Sequence, residues 1–244
     1  MFFSVLVEVE MQRKARILIV EDETAIRTGL VDVFVYHGYE VDFAVDGDEG
    51  LSKSLNGAYD LILLDVMLPG KNGYEICEAV RLKDRDQPII MLTAKSSDED
   101  VIHGLSLGAD DYVAKPFSVA QLVLRVQAVL RRSRSTTLDD AHIRLVGGLE
   151  IDTLNLSSQR KGEDVAFTRR EMDVLQYLHE HSERPVSREE LLNKVWGYAR
   201  DLDIETRTVD IHIAKLRRKI EDDPKQPQRL VTVRGGGYRL MTES

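Results

Sequence analysis

Leu61-Ile62-Leu63-Leu64-Asp65 is four apolar residues closed by a carboxylate. An apolar run this short, bounded by turn residues, reads as a strand buried on both faces. A charge at the end of a dry strand is costly and usually has a purpose, such as metal or phosphate chemistry. Three further runs end in the same way. Arg16-Ile17-Leu18-Ile19-Val20 leads into Glu21 and Asp22, Ile89-Ile90-Met91-Leu92 into Thr93, and Tyr112-Val113-Ala114 into Lys115-Pro116. In an open parallel α/β sheet, the C-terminal strand edge is where ligands bind. Taken singly, each residue reads as a loop-facing polar side chain; acids, hydroxyl and amine on four strand ends make that reading improbable.

Between these runs the apolar period changes from two to about four. Ala25, Ile26, Leu30, Val33 and Phe34 share one helical face that ends near His37-Gly38. Val41, Phe43 and Val45 alternate as a short strand, followed by a helix around Gly50–Leu55. After Asp65 comes the turn-rich Met67-Leu68-Pro69-Gly70-Lys71-Asn72-Gly73, then a helix through Ala79-Val80, and another around Val101–Leu107. Ser118 to Gln121 spells a capping box before a helix running to about Arg132. Five such units predict an α/β fold: a doubly wound five-stranded parallel sheet.

The chain has 244 residues, 43% hydrophobic and 31% charged, within the range of globular proteins. Its net charge of −9 resides in one half. Residues 1–142 hold 15 Lys/Arg against 24 Asp/Glu, and residues 143–244 hold 18 of each. That asymmetry predicts two modules with different partners. The single Cys77 excludes an internal disulfide framework and is compatible with a reducing, cytoplasmic setting. No run of 18 apolar residues indicates a membrane partner. The opening Met1-Phe2-Phe3-Ser4-Val5-Leu6-Val7 lacks a basic n-region and a cleavage site, and Glu8 and Glu10 follow too soon for a secretory signal. Met11 reads as the natural start, with residues 1–10 as an upstream extension. The expected division is an N-terminal extension over 1–14, a first domain over 15–132, a linker over 133–142 and a second domain over 143–244.

Glu21-Asp22, Asp65 with Met67-Leu68-Pro69-Gly70, Thr93-Ala94, and Gly108-Ala109-Asp110-Asp111-Tyr112 through Lys115-Pro116-Phe117 together resemble a response-regulator receiver, a flavodoxin-like fold. The resemblance implies that Asp65 is the phosphoacceptor, supplied by a sensor histidine kinase. It implies Mg²⁺ as cofactor, bound by Glu21, Asp22, Asp65 and the backbone carbonyl of Met67; hard oxygen ligands at about 2.0–2.1 Å suit that ion. Lys115 would pair with phosphoryl oxygens, Thr93 would donate its hydroxyl, and the Lys115-Pro116 bond would be cis. Tyr112 would be the switch aromatic, turning inward from solvent as Thr93 moves towards the phosphoryl group. The same face forms the activated homodimer in that family. Asp111 and Arg125 match one of its ion pairs, but Val101, Ser106, Gln121 and Gln127 stand where relatives carry charge, which predicts a less ionic or different dimer.

Arg131 to Thr137 is polar and basic and reads as a linker to about Ala141. Residues 143–165 show short alternating runs broken by Gly147-Gly148 and Gln159–Gly162, a small antiparallel sheet. Thr168-Arg169-Arg170-Glu171 and Ser187-Arg188-Glu189-Glu190 are capping boxes, each opening an amphipathic helix. A third helix from about Thr206 to Ile220 carries Val209, Ile213, Leu216 and Ile220 on one side and Arg207, Lys215, Arg217, Arg218 and Lys219 elsewhere. With Leu230-Val231-Thr232-Val233 and Arg234-Gly235-Gly236-Gly237-Tyr238-Arg239-Leu240, this resembles the winged helix-turn-helix, an α+β output domain of the OmpR/PhoB type. The resemblance implies promoter DNA as partner. Thr208, His212 and Lys215 would face the bases, Arg207, Arg217 and Arg218 the phosphates, and Arg234 or Arg239 on the wing the backbone or minor groove. Ala214 stands where some relatives have arginine, so base preference does not carry over. In this family the loop Gly197–Glu205 can touch RNA polymerase.

The reading that follows is a phosphorylation-dependent, DNA-binding transcriptional regulator. A regulator working without phosphorylation leaves the full acid, threonine and lysine set without a purpose. An aspartate-nucleophile phosphatase of the haloacid-dehalogenase type needs a second acid two residues after the first, where this chain has Met67.

Overall fold

The computed structural model describes residues 13–93, 107–132, 141–198 and 207–243. The readings made on residues 1–12, Val101, Ser106, most of the helix expected around Val101–Leu107, the linker residues 133–140 and most of the Gly197–Glu205 loop lie outside them. So do the side chains of Arg131, Arg132 and Arg207.

The first half alternates β1 Arg16–Val20, α1 Thr24–Tyr36, β2 Glu40–Ala44, α2 Gly47–Asn56, β3 Leu61–Asp65, α3 Gly73–Lys83, β4 Ile89–Thr93, β5 Asp111–Ala114 and α4 Val119–Arg132. The strands form one parallel sheet in the order β2-β1-β3-β4-β5. β3 and β4 are buried at every residue, which is why they read as unbroken apolar runs. One sheet face buries Ile17, Ile19, Leu61 and Leu63 against Phe34 of α1 and Leu122 and Val126 of α4. The other buries Leu18, Ile62, Leu64 and Met91 against Ile76, Cys77 and Val80 of α3.

β2 departs from the expected alternation. Phe43 and Val45 are exposed and Ala44 is buried. As the sheet's edge strand, β2 has one side open, and Phe43 lies beneath the cations of Arg27 and Lys53 instead of in the core.

The chain after Asp65 doubles back tightly. Gly73 N donates to Val66 O at 3.0 Å, and a Cβ on Gly73 would stand 2.2 Å from Asp65 O. Only glycine allows that approach. Asn72 then caps α3: its side chain accepts from Glu75 N, and the Glu75 carboxylate accepts from Asn72 N, each at 3.0 Å.

The second half opens with the antiparallel sheet β6 His142–Leu145, β7 Leu149–Asp152, β8 Ser157–Arg160 and β9 Glu163–Ala166. Helices α5 Arg169–Glu180, α6 Arg188–Val195 and α7 Arg207–Ile220 follow, and then the hairpin β10 Leu230–Val233 and β11 Gly237–Leu240. This is a winged helix with the hairpin as its wing. The box at Thr168 forms in full. The box at Ser187 forms by half, because Arg184 and the Tyr177 hydroxyl take the Glu190 carboxylate instead.

Both halves share core residues. Ile211 of α7 belongs to the α3-side cluster of the first half, and Ala128 of α4 to the core of the second.

Replacing Asn72 with alanine removes one capping bond and leaves Glu75 without its reciprocal partner. A loss of about 1 kcal/mol in urea unfolding is expected, with an unchanged slope.

Candidate functional site

β1, β3 and β5 end on the same sheet edge, and their register sets what meets there. Lys115, one residue past β5, donates from Nζ to Asp65 Oδ2 at 2.6 Å and to Glu21 Oε1 at 3.0 Å. Met67 N donates to the other Asp65 oxygen at 3.0 Å. Glu21 and Asp65 are buried, Asp22 is half-buried, and one carboxylate oxygen from each of the three lies within 4.8 Å of the others. Thr93 is buried at the end of β4, and its carbonyl accepts from Lys115 N at 2.6 Å. The Lys115-Pro116 peptide is cis.

Three carboxylates therefore gather about one ammonium, and Glu21 is shifted by its place among them. Burial first, and then the charge of Asp65, push its pKa up to about 7 against the lowering effect of Lys115. Burial pulls the Lys115 ammonium down, but its bonds to Asp65 and Glu21 outweigh that and hold it above the usual value. Glu21 Oε2 is buried without a hydrogen bond, although Lys115 Nζ lies 2.8 Å away, outside bonding geometry. Hard oxygens with negative charge in excess fit a divalent cation.

A second polar concentration lies between the halves. Trp196, which ends α6, donates its indole N–H to Asp110 O at 3.1 Å. Arg125 of α4 donates to Asp111 Oδ2 at 2.6 Å, and the Tyr198 hydroxyl donates to the same oxygen. The Arg125 guanidinium also stacks 4.7 Å from the Tyr198 ring centroid. Behind this contact, Glu171 is wholly buried beside Lys215 Nζ at 3.2 Å and Lys219 Nζ at 2.5 Å. Burial raises the Glu171 pKa, but the two lysines outweigh it and hold the value at about 2.

The response regulator receiver domain family matches residues 17–127, and the family described as transcriptional regulatory protein, C terminal, matches residues 162–240. The probable transcriptional regulator ycf27 of Porphyridium aerugineum is 42% identical over 230 residues, covering 93% of this chain and 95% of its own. DrrB, an OmpR/PhoB homologue from Thermotoga maritima, is 31% identical with a TM-score of 0.51, over 94% of this chain and all of its own. This chain belongs to the OmpR/PhoB-type response regulators. A second match by structure, a mutant of RitR, has a TM-score of 0.70 at 32% identity, again over 94% of this chain and all of its own. The family is one of transcriptional regulators rather than enzymes, and among the described residues no helix is long and apolar enough to cross a membrane.

In this response regulator the residues singled out at the receiver edge come together, whereas those singled out for DNA divide into three groups. Thr208, His212 and Lys215 are buried, at 8%, 0% and 7% exposure. Arg217 is tied to the wing through Leu230 O and the Thr232 hydroxyl, and Arg239 to Ser182 O. Arg218 and Arg234 are exposed. Asp111 and Arg125 pair within one chain rather than standing open, and Tyr112 is already buried, in the same cluster as Ile211, rather than turned to solvent.

Trp196, Tyr198, Arg170 and Glu171 were not singled out as functional. Trp196 and Glu171 carried only helix-packing and capping signals, and nothing local in the chain points Tyr198 at Asp111.

Replacing Asp22 with alanine leaves two carboxylates at the edge, and titration calorimetry with Mn²⁺ is expected to show affinity lower by about tenfold or more. His212 yields a pH signature. Its Nδ1 bonds the Thr208 carbonyl at 2.9 Å, with Trp196, Lys215, Glu171 and Arg170 around it. Burial, then the Lys215 charge, lower its pKa from 6.5 to about 4. The folded ring stays neutral where the unfolded one takes a proton, so its contribution is intact above 6.5 and lost as pH falls towards 4. The expected slope is about 1.4 kcal/mol per pH unit in that window, and urea titrations of His212→Gln should lack it.

Proposed function

We propose that the chain is a phosphorylation-dependent transcriptional regulator that accepts a phosphoryl group on Asp65 from a sensor histidine kinase and binds promoter DNA through its winged helix. The observation that carries this reading is the buried Asp65 carboxylate, held by Lys115 beside Glu21 and Asp22 at the strand edge. Asp65 Oδ2 attacks the phosphorus of a phosphohistidine; the P–O bond forms as the P–N bond breaks, and the electron pair leaves with the imidazole. Lys115 stands beside that oxygen to take incoming phosphoryl oxygens, and Thr93 supplies a hydroxyl from β4. Glu21, Asp22, Asp65 and the Met67 carbonyl would hold Mg²⁺, which when bound would supply the charge neutralisation that phosphoryl transfer needs. Tyr112 follows Thr93 as the switch aromatic.

The domains assigned to these tasks are the receiver over 15–132, a linker over 133–142 and the DNA-binding domain over 143–244, after an extension over 1–14. Thr208, His212 and Lys215 read base edges in the major groove. Arg207, Arg217, Arg218, Arg234 and Arg239 bind phosphate or the minor groove. Phosphorylation favours a homodimer in which Asp111 and Arg125 take part, the loop Gly197–Glu205 is the surface offered to RNA polymerase, and the protein works in the cytoplasm.

Incubating wild type and Asp65→Ala with Mg²⁺ and acetyl phosphate tests the central step. A phosphate-affinity gel shift in wild type alone is expected. Equal labelling of both proteins, or of neither, overturns the assignment.

A further inference from the structure

We propose that Arg27 is a positioning residue for the acidic pair at the receiver edge: it fixes the backbone of Glu21 and Asp22, so that their carboxylates keep one place beside Asp65. This role rests on the Mg²⁺ reading given above.

The edge draws its oxygens from two stretches of chain, and they are held differently. The stretch after Asp65 is fastened by backbone. Met67 N donates to Asp65 Oδ1 at 3.0 Å, Gly73 N to Val66 O at 3.0 Å, and Gly47 N of α2 to Pro69 O at 2.9 Å. The stretch after β1 has less of this. Glu21 N reaches Ala44 O at 3.2 Å and Glu23 N reaches Glu21 Oε1 at 3.3 Å, at or beyond the long end of the usual range. Lys115 holds the Glu21 carboxylate but not its backbone. The shorter bonds come from Arg27, whose Nη1 donates to Glu21 O at 2.8 Å and to Asp22 O at 2.9 Å.

Consecutive carbonyls of an extended strand point to opposite sides. Two of them meet one nitrogen only where the chain turns, and Arg27 spans that turn. A guanidinium suits the task, because one terminal nitrogen carries two N–H groups in a fixed plane. Arg27 comes within reach because a helical side chain leans back towards the N-terminus, here over the residues that precede α1. Its Nη2 donates to Thr24 Oγ1 at 3.2 Å, and its Cζ lies 5.6 Å from the Phe43 ring centroid. That contact gives the exposed aromatic of β2 a task beside the site.

Neither the helix nor the charge of a bound dication favours a cation here. Arg27 lies at the end of the first turn of α1, where the helix dipole opposes positive charge. It also stands behind carboxylates suited to a divalent ion, whose binding its charge opposes. Its contribution is therefore geometric. Mg²⁺ demands near-ideal octahedral placement of its ligands, whereas Ca²⁺ accepts about six to eight oxygens in looser arrangements. Loss of a group that orients metal ligands lowers affinity by about tenfold or more.

Charge and geometry predict opposite signs. Full-length wild type, Arg27→Gln and Arg27→Lys are titrated calorimetrically with Mg²⁺ and, separately, with Ca²⁺, after urea unfolding has shown each to be folded. Both variants are expected to bind Mg²⁺ about tenfold more weakly and Ca²⁺ about threefold more weakly or less. Should Arg27→Gln fail to fold, Arg27→Lys carries the comparison alone. Arg27→Lys keeps the charge and loses the fork, so wild-type Mg²⁺ affinity in that variant overturns the positioning role. Tighter Mg²⁺ binding by Arg27→Gln, which charge alone predicts, overturns it as well. So does an equal loss of both ions, which general loosening predicts. A wild type that binds neither ion overturns the metal site and this role with it. Acetyl phosphate added to the same samples separates the two readings. Selective loss of Mg²⁺ in the variants, beside a wild type that takes no phosphoryl group, upholds the role of Arg27 and removes Asp65 as phosphoacceptor.

Discussion

The Lys115 ammonium lies between the carboxylates of Asp65 and Glu21, and the first half of the molecule is arranged around keeping it there. Both carboxylates are buried and Lys115 is half-buried, so each would be costly alone; together they offset one another only in part. That partial compensation needs β1, β3 and β5 to end at one level, which the parallel register through β4 enforces. It also needs the chain to leave Asp65 without crowding it, which Gly73 and the Asn72–Glu75 cap accomplish. The negative charge that remains in excess fits the edge for a cation, and burial, with the Asp65 charge after it, gives Glu21 its raised pKa.

The two halves meet through a polar surface with a small apolar insertion. Ile211 and Ala128 exchange places across it, but Asp110, Asp111, Arg125, Arg170, Trp196 and Tyr198 occupy its centre. Truncating one partner of a buried charged pair strands the other, whereas parting the halves hydrates both. Such a contact is sensitive to point substitution and yields to a change in domain placement. β5 lies at the sheet edge between this contact and the Lys115 cluster, so a single strand serves both.

Receiver motifs were legible because each depends on a strand end, and a buried parallel strand announces itself as an apolar run closed by a polar residue. The third helix of the second half was legible through its four-residue apolar period, and the wing through its glycines. Val41 and Phe43 lie in a strand as their alternation predicts, but alternation does not say which side of an edge strand is open, and Phe43 is exposed. Ser187 gave half of its expected box because Glu190 had stronger partners in Arg184 and Tyr177, residues adjacent in space but outside the capping pattern.

Strand and helix period were enough to predict a doubly wound sheet with Glu21, Asp22, Asp65, Thr93 and Lys115 at one edge, and the winged helix came from the family resemblance of the second half. These outcomes follow from local rules: strand length, the alternation of elements, and the fixed side of a parallel sheet on which strands end. Only the tertiary structure decided that Thr208, His212 and Lys215 are covered, that Asp111 and Arg125 are paired within one chain, and that Tyr198 joins them. Arg125 meets Asp111 inside the first half, and His212 and Lys215 are packed with Glu171, Arg170 and Trp196 of their own half; the Tyr198 bond to Asp111 depends on how two independently patterned halves dock. Docking is governed by side chains far apart in sequence, Asp111 and Tyr198 among them, whose complementarity leaves no period or spacing in the chain.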